Sequence, residues 1–508
     1  MDESLRDKAI SGAKWQALAT YANQAVQAAG AIVLPWLVVR EDYGVVAAGM
    51  VALSLVRAGG TLGVNYALIH RQDRIQEATN TAFVLMLVIG AVSYGLLAAL
   101  SPLAAAYFED GRLTVLIPVL GLLFFLRPAA IVTQGTLTRD FRFRRLFVVD
   151  FVAVVLSTGA AIALAALLPK AHRFWALAVA GLGREAMRSV AAWCLAVVRP
   201  RLAFDWALAK ELLQYGKFFV ATALVLVLYN NLERLALGGL LSTAALGLYV
   251  FAYKWVFRVG DVSETIFGGV SVPVYAKLQD DVPRLRTSFI RIVRLSALLS
   301  TGLLVGLVLL VPEALPLIFP SEWWASAPIF QVLGLWYIVR AVDTTTGQLY
   351  AAVGKPKYNT LLTVINVVVV AATVVPFIRW WGAVGAAWSL FAARVISVGV
   401  NARICSRVLR CPARRLVDVV TPALKAATAM AVVLAAAQVL GMGWVVDRHP
   451  AWIGGPYEWV ALVTLIALGA AAYVATLYVF ERALFREMVG LVRDALRGRK
   501  VRLHGTES

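Results

Sequence analysis

VLGLLFFLR (119–127) returns 213 residues later as VLGLWYIVR (332–340), with five of nine positions identical and an arginine closing each run. Both runs sit inside long apolar stretches, and about 20 consecutive apolar residues are what a helix needs to cross roughly 30 Å of hydrocarbon. Working outward from them, fourteen such segments are expected: 13–39, 44–69, 80–105, 113–136, 148–168, 174–197, 215–240, 245–273, 288–311, 325–351, 359–379, 381–404, 421–441 and 457–480. A membrane barrel would need alternating segments about half that length, so the expected fold class is an all-α polytopic membrane protein. The 61 % hydrophobic content over 508 residues lies far outside soluble usage and agrees.

The formal charge of +19 raises the question of a nucleic-acid partner. The lysines and arginines, however, are dispersed through short connections between apolar runs instead of being gathered on one domain, which argues against nucleic acid. They fall on alternate connections, while the opposite side carries only Arg40, Arg112, Lys170, Arg173, Arg379 and Arg448. Basic connections stay in the cytoplasm, so both termini are expected there, with membrane lipids as the partners of the basic face.

Catalytic chemistry finds no foothold. His70, His172, His449 and His504 lie in loops or the tail, and no serine or cysteine has a recognisable base or nucleophile elbow near it. Cys194, Cys405 and Cys411 have neither CxxC spacing nor histidine companions, so no disulfide framework, metal site or cofactor is indicated. "GKP" (354–356) lacks the residues of a phosphate-binding loop, so the chain does not drive transport by its own ATP hydrolysis. The opening "MDESLRDKAISGAKW" does not read as a removable signal peptide.

The duplication extends beyond the opening runs. "TQG" (133–135) matches "TTG" (345–347), and "GVNYALIHR" (63–71) resembles "GVSVPVYAK" (269–277). Helices 1–6 therefore look like a copy of helices 7–12: a lobe over 1–205, a second over 206–415, an added helix pair over 416–480 and a basic tail over 481–508. A shift of six helices preserves orientation, so the copies are expected as parallel repeats about an axis along the membrane normal, with the substrate path between them.

Gly12 and Trp15, "EDYG" (41–44), "ALIHR" (67–71), "RDFRF" (139–143), "LGLYVFA" (246–252), Pro273 and "GKP" occur in an order that resembles the Wzx-type polysaccharide flippases. These belong to the multidrug/oligosaccharidyl-lipid/polysaccharide exporter superfamily, and the likeness is to its colanic and teichuronic acid exporter branch. The resemblance implies a bacterial cytoplasmic-membrane protein of two six-helix lobes. Its substrate would be an undecaprenyl-pyrophosphate-linked oligosaccharide carried to the periplasmic leaflet by alternating access, with polysaccharide polymerase and export machinery as further partners.

An arginine in the bilayer costs at least about 2.5–3.5 kcal/mol, so it normally faces a protein interior or wet cavity and has a partner. Arg57, Arg127, Arg258 and Arg340 fall near the middles of helices 2, 4, 8 and 10, corresponding members of the two copies, and Lys254 lies one turn from Arg258. Guanidinium groups bind phosphate oxygens in bidentate fashion, so these residues are candidates for a cationic floor beneath the pyrophosphate. The competing reading is structural: Asp261 follows Arg258 by three residues and Asp343 follows Arg340 by three, a spacing that permits neutralising pairs on one helix face. "GREAMR" (183–188) with Arg394 reads more as structure than as site. Sugar contacts are expected from Trp15, Tyr21, Asn23 and Gln24 in helix 1, and from Tyr229, Asn230 and Asn231 in helix 7. Asp261, Glu264 and Asp343 are the candidate ion-coupling acids. Three alternatives stand beside this reading: a lipid II-type flippase, a drug or cation antiporter, which would favour a carboxylate-dominated cavity, and a membrane polymerase or ligase, which usually has a large external loop.

Overall fold

The computed structural model describes residues 21–57, 74–139, 143–195, 201–442, 456–482, 485–486 and 490, and among these no strand occurs. The helices follow the expected order. They are α1 (21–37), α2 (Arg40–Arg57), α3 (Ile75–Tyr107), α4 in two pieces (Leu113–Gly121 and Leu123–Arg139), α5 (Phe143–Leu167), α6 (Phe174–Leu195) and α7 (Trp206–Leu240). After these come α8 (Thr243–Lys277), α9 (Val282–Ile318), α10 (Ala327–Ala352), α11 (Lys357–Trp381), α12 (Ala383–Val408), α13 (Thr421–Ala437) and α14 (Pro456–Phe480). Nine spans among the described residues are long and apolar enough to cross a membrane. Helices α6 and α8 fall short of that composition because of their ionisable residues, the very ones from which the candidate site is built.

Residues pack as two units, Met1–Gly247 and Leu248–Ser508. In the first, α5 lies along α6, the second piece of α4 lies along α6, and α2 packs on both the first piece of α4 and α7. Buried Val45, Ala48 and Val51 on α2, and Leu113, Leu116 and Leu120 on α4, supply the apolar filling. At one end of this unit the turns are tied by charge: Arg112 donates to Asp42 at 2.8 Å and to Asp110 at 2.8 and 3.0 Å, and its guanidinium lies over the Phe174 ring. Arg173 donates to the Leu37 carbonyl at 2.8 Å beside them. Here α2 and the first turn of α8 approach at glycine. A Cβ on Gly44 would fall 1.7 Å from the Thr243 carbonyl oxygen, and one on Gly247 would fall 2.0 Å from that of Arg40, so any larger residue forces the backbones apart.

At the opposite end, the connection into α7 is pinned. Asp205 caps α7 by accepting from Ala207 N at 2.8 Å and Leu208 N at 3.3 Å, and its other oxygen accepts from Arg74 at 3.0 Å. The Leu208 and Ala207 amides, with Arg74, hold the Asp205 carboxyl below the usual carboxylate range, so the cap is ionised at neutral pH. Helix α7, expected from the sequence to start the second copy, packs on α2 and α3 in the first unit.

The second unit pairs α9 with α10, α11 with α12 and α10 with α12. Its core runs through Tyr275, Leu285, Phe289, Tyr350 and Leu409, and the buried amide of Asn401 joins α12 to α10 by donating to Thr346 Oγ1 at 3.0 Å. Helices α13 and α14 are sealed to α9 by Ala426, Met430, Leu434, Leu465 and Tyr473, whose hydroxyl donates to the Leu298 carbonyl at 2.7 Å.

Candidate functional site

Within the first unit, a group of ionisable side chains lies between α2, α4, α5 and α6. Arg127 is followed by Pro128, which has no N–H and leaves the Phe124 carbonyl without its helical donor. Gly90 of α3 lies against that carbonyl, where a Cβ would come within 2.8 Å, and Ser189 of α6 donates to the nearby Leu126 carbonyl. These contacts hold the α4 backbone at Arg127 against α3 and α6. The Arg127 Nε then stands 3.7 Å from Glu185 Oε2 on α6, which is an ion pair without a hydrogen bond. Arg57, exposed at the described end of α2, lies in the electrostatic field of both Arg127 and Glu185. Arg184 adds a third guanidinium beside Glu185, and its buried Nε has no hydrogen-bond partner among the described residues. Arg188 is held more tightly, 2.9 Å from Asp150 on α5.

The second unit carries a matching group with a different internal order. Arg340 on α10 donates to Glu264 of α8 at 3.1 Å and stands 3.7 Å from Asp261. Three rings flank its guanidinium: Tyr337 at 4.7 Å, Phe257 at 4.8 Å and Trp336 at 5.9 Å. Tyr337 donates its hydroxyl to Asp261. Trp336 also lies 6.0 Å from the guanidinium of Arg394 on α12, and Arg258 stacks over Trp255 at 5.1 Å. Lys254 is exposed one turn before Arg258.

The expected residues thus divide. Arg57 and Arg127 come together in one group, and Lys254, Arg258, Asp261, Glu264 and Arg340 share α8 and α10 in the other. The carboxylates facing Arg340, Asp261 and Glu264, come from α8, far beyond the reach of a local search along α10, while the side chain of Asp343 lies outside the described residues, as do Trp15 and the first turns of helix 1. Asn23 is half-buried on α1 with a buried amide oxygen that has no partner among the described residues. Asn231 is buried on α7 and donates to its own helix at the Val227 carbonyl, 2.8 Å away. Sequence reasoning missed Asp150 and the aromatic enclosure of Arg340, and gave Glu185 no role of its own. A carboxylate elsewhere in the chain leaves no local signal, although Trp336 and Tyr337 were visible within the second repeated run.

One further feature of the second unit is an apolar cavity of about 430 Å³ between α9, α13 and α14, lined by Leu303, Gly306, Met430, Ile466 and Tyr473.

Residues 33–328 match the family described as polysaccharide biosynthesis protein. Among relatives, the chain is 26 % identical over 352 residues to the teichuronic acid biosynthesis protein TuaB of Bacillus subtilis (strain 168), covering 69 % of this chain and 73 % of that one. It is 23 % identical over 349 residues to the lipopolysaccharide biosynthesis protein WzxC of Escherichia coli (strain K12), covering 69 % and 71 %. In fold it is similar to the lipid II flippase MurJ in an inward closed conformation, with a TM-score of 0.70 at 13 % identity over 92 % of this chain and 99 % of that one. It is also similar to an inward-facing multidrug resistance MATE family transporter, with a TM-score of 0.57 at 16 % identity over 77 % and 95 %. The family match covers more than half of the residues and takes in the first arginine-bearing group and the α8 residues of the second, so the chain belongs to the polysaccharide biosynthesis protein family.

Proposed function

We propose that this protein is a flippase that moves an undecaprenyl-pyrophosphate-linked oligosaccharide from the cytoplasmic to the periplasmic leaflet for cell-surface polysaccharide assembly. The observation that carries the reading is the guanidinium-rich group of membrane helices α4 and α6, where Arg127 stands 3.7 Å from Glu185 without a hydrogen bond and Arg184, next to Glu185 in sequence, has a buried Nε with no partner among the described residues. Such a group is costly to bury and is matched in charge and geometry by a pyrophosphate, which offers several acceptor oxygens and at least two negative charges. Asn23 and Asn231 are the polar groups proposed to meet sugar, and Lys254 and Arg258 of α8 are the second unit's candidate cations. The apolar cavity among α9, α13 and α14 has the character of a lipid-chain pocket. Asp261 and Glu264, with Asp343, are the acids through which an ion gradient would act.

The test is leaflet transfer of a fluorescent lipid-linked oligosaccharide in proteoliposomes containing only this protein. Transfer without chain growth is expected; chain growth without transfer would make the protein a polymerase or ligase and overturn the reading.

The cytoplasmic membrane is the proposed location, with both termini inside and the polymerase and export machinery as partners across the bilayer. The charge distribution of the connections supports this orientation. A reporter fused after Arg173 is expected to signal from the periplasm and one fused after Arg415 from the cytoplasm. Reversed signals would invert the direction of transport as well.

A further inference from the structure

The two repeated arginines occupy equivalent places in sequence but not in chemistry. Arg340 is engaged on several sides, by a 3.1 Å hydrogen bond to Glu264, by Asp261 and by three aromatic rings, with its buried Nη1 left without a hydrogen bond among the described residues. Arg127 has one acid near it, Glu185, at 3.7 Å, and its buried Nε has no hydrogen-bond partner among the described residues. Glu185 is shared, because Arg57 and Arg184 also lie in its field, while the neighbouring Arg188 takes Asp150 for itself at 2.9 Å. The contact that Glu185 makes is thus an unbonded one with Arg127, and both partners keep some exposure, 24 % for Arg127 and 21 % for Glu185.

We infer that Glu185 is a resident counter-anion: it neutralises the guanidinium group while the site is empty, is displaced from Arg127 by the diphosphate of the substrate, and reclaims the arginine as the substrate leaves. This rests on the proposed lipid-diphosphate reading and assigns a residue that governs affinity and release within it. The physical case is a competition. A single carboxylate at 3.7 Å offers one charge and unoptimised geometry, whereas a diphosphate offers at least two charges and can satisfy guanidiniums in bidentate fashion. The incoming anion therefore wins. Without that resident anion, however, Arg127 would stand without its nearest counter-charge in the membrane and would hold the diphosphate too firmly for turnover. Glu185 lowers both the cost of the empty state and the depth of the bound state. A buried structural pair behaves in the opposite way: neutralising its acid loosens the site and weakens binding.

The test is binding of farnesyl diphosphate to the purified full-length protein by titration calorimetry, with leaflet transfer measured on the same preparations. Glu185→Gln, which keeps the shape and removes the charge, is expected to raise affinity about tenfold and slow turnover, because the competitor is gone. Glu185→Asp keeps the charge but withdraws it by one methylene, so it is expected to fall between the two, and it serves if the glutamine variant does not fold. Unchanged or weakened affinity in these variants overturns the inference. Arg127→Gln separates the two levels: if it weakens binding while the Glu185 variants leave it unchanged, only the counter-anion role fails. If Arg127→Gln binds farnesyl diphosphate as the wild type does, the diphosphate site itself fails.

Discussion

Arg127→Gln is expected to leave the protein folded and to weaken diphosphate binding tenfold or more, with export of surface polysaccharide falling in step. The side chain makes no hydrogen bond that the fold depends on: its Nε has no partner among the described residues, and Glu185 is 3.7 Å away. What the substitution removes is a charge-assisted contact to substrate, typically worth about 1.5–3 kcal/mol, or a factor of roughly ten to a hundred in affinity. Arg127→Lys keeps the charge but not the planar fork, so it is expected to recover only part of the loss. Complementation of polymer export, with protein abundance measured in the same cells, is the check. Full export by abundant Arg127→Gln protein would remove this arginine from the substrate path.

Arg340→Gln is expected to fail differently, by lost stability. Its removal strands Asp261 and Glu264 beside each other on α8 and empties the space between Phe257, Trp336 and Tyr337. Breaking a fully buried pair typically costs about 3–5 kcal/mol. The acids here keep 41 % and 38 % exposure, so screening brings the expected loss to about 2–3 kcal/mol, with the ring contacts included. The measurement is the thermal midpoint in detergent. Pairing Arg340→Gln with Glu264→Gln is expected to restore part of the midpoint by removing one of the stranded charges. A stable Arg340→Gln protein that has lost substrate binding would instead move Arg340 into the site.

The helical order and the presence of cations inside membrane helices were legible from the sequence, because both follow from hydropathy along the chain. The partners were not. A counter-ion search within four residues finds Asp343 after Arg340 and nothing near Arg127, whereas the acids that face them lie 76 residues back in one case and 58 residues on in the other. Pairings at that range are set by which helices touch, and hydropathy is silent on that. The same holds for α7: its sequence places it at the start of the second copy, but its packing on α2 and α3 depends on small-residue contacts such as those at Gly238 and Gly239, where Phe108 and Tyr107 close in.

The ring-enclosed pairing of Arg340 with Glu264 also bears on how the chain is made. Glu264 and Asp261 emerge well before their guanidinium, and at about 5–20 residues per second the 76 residues separating Arg340 from Glu264 take roughly 4–15 s to synthesise. During that interval α8 carries two acids with no guanidinium from α10, a poor candidate for release into lipid as a single helix. Its integration is therefore expected to be delayed until α10 arrives at the translocon and the two helices can leave together.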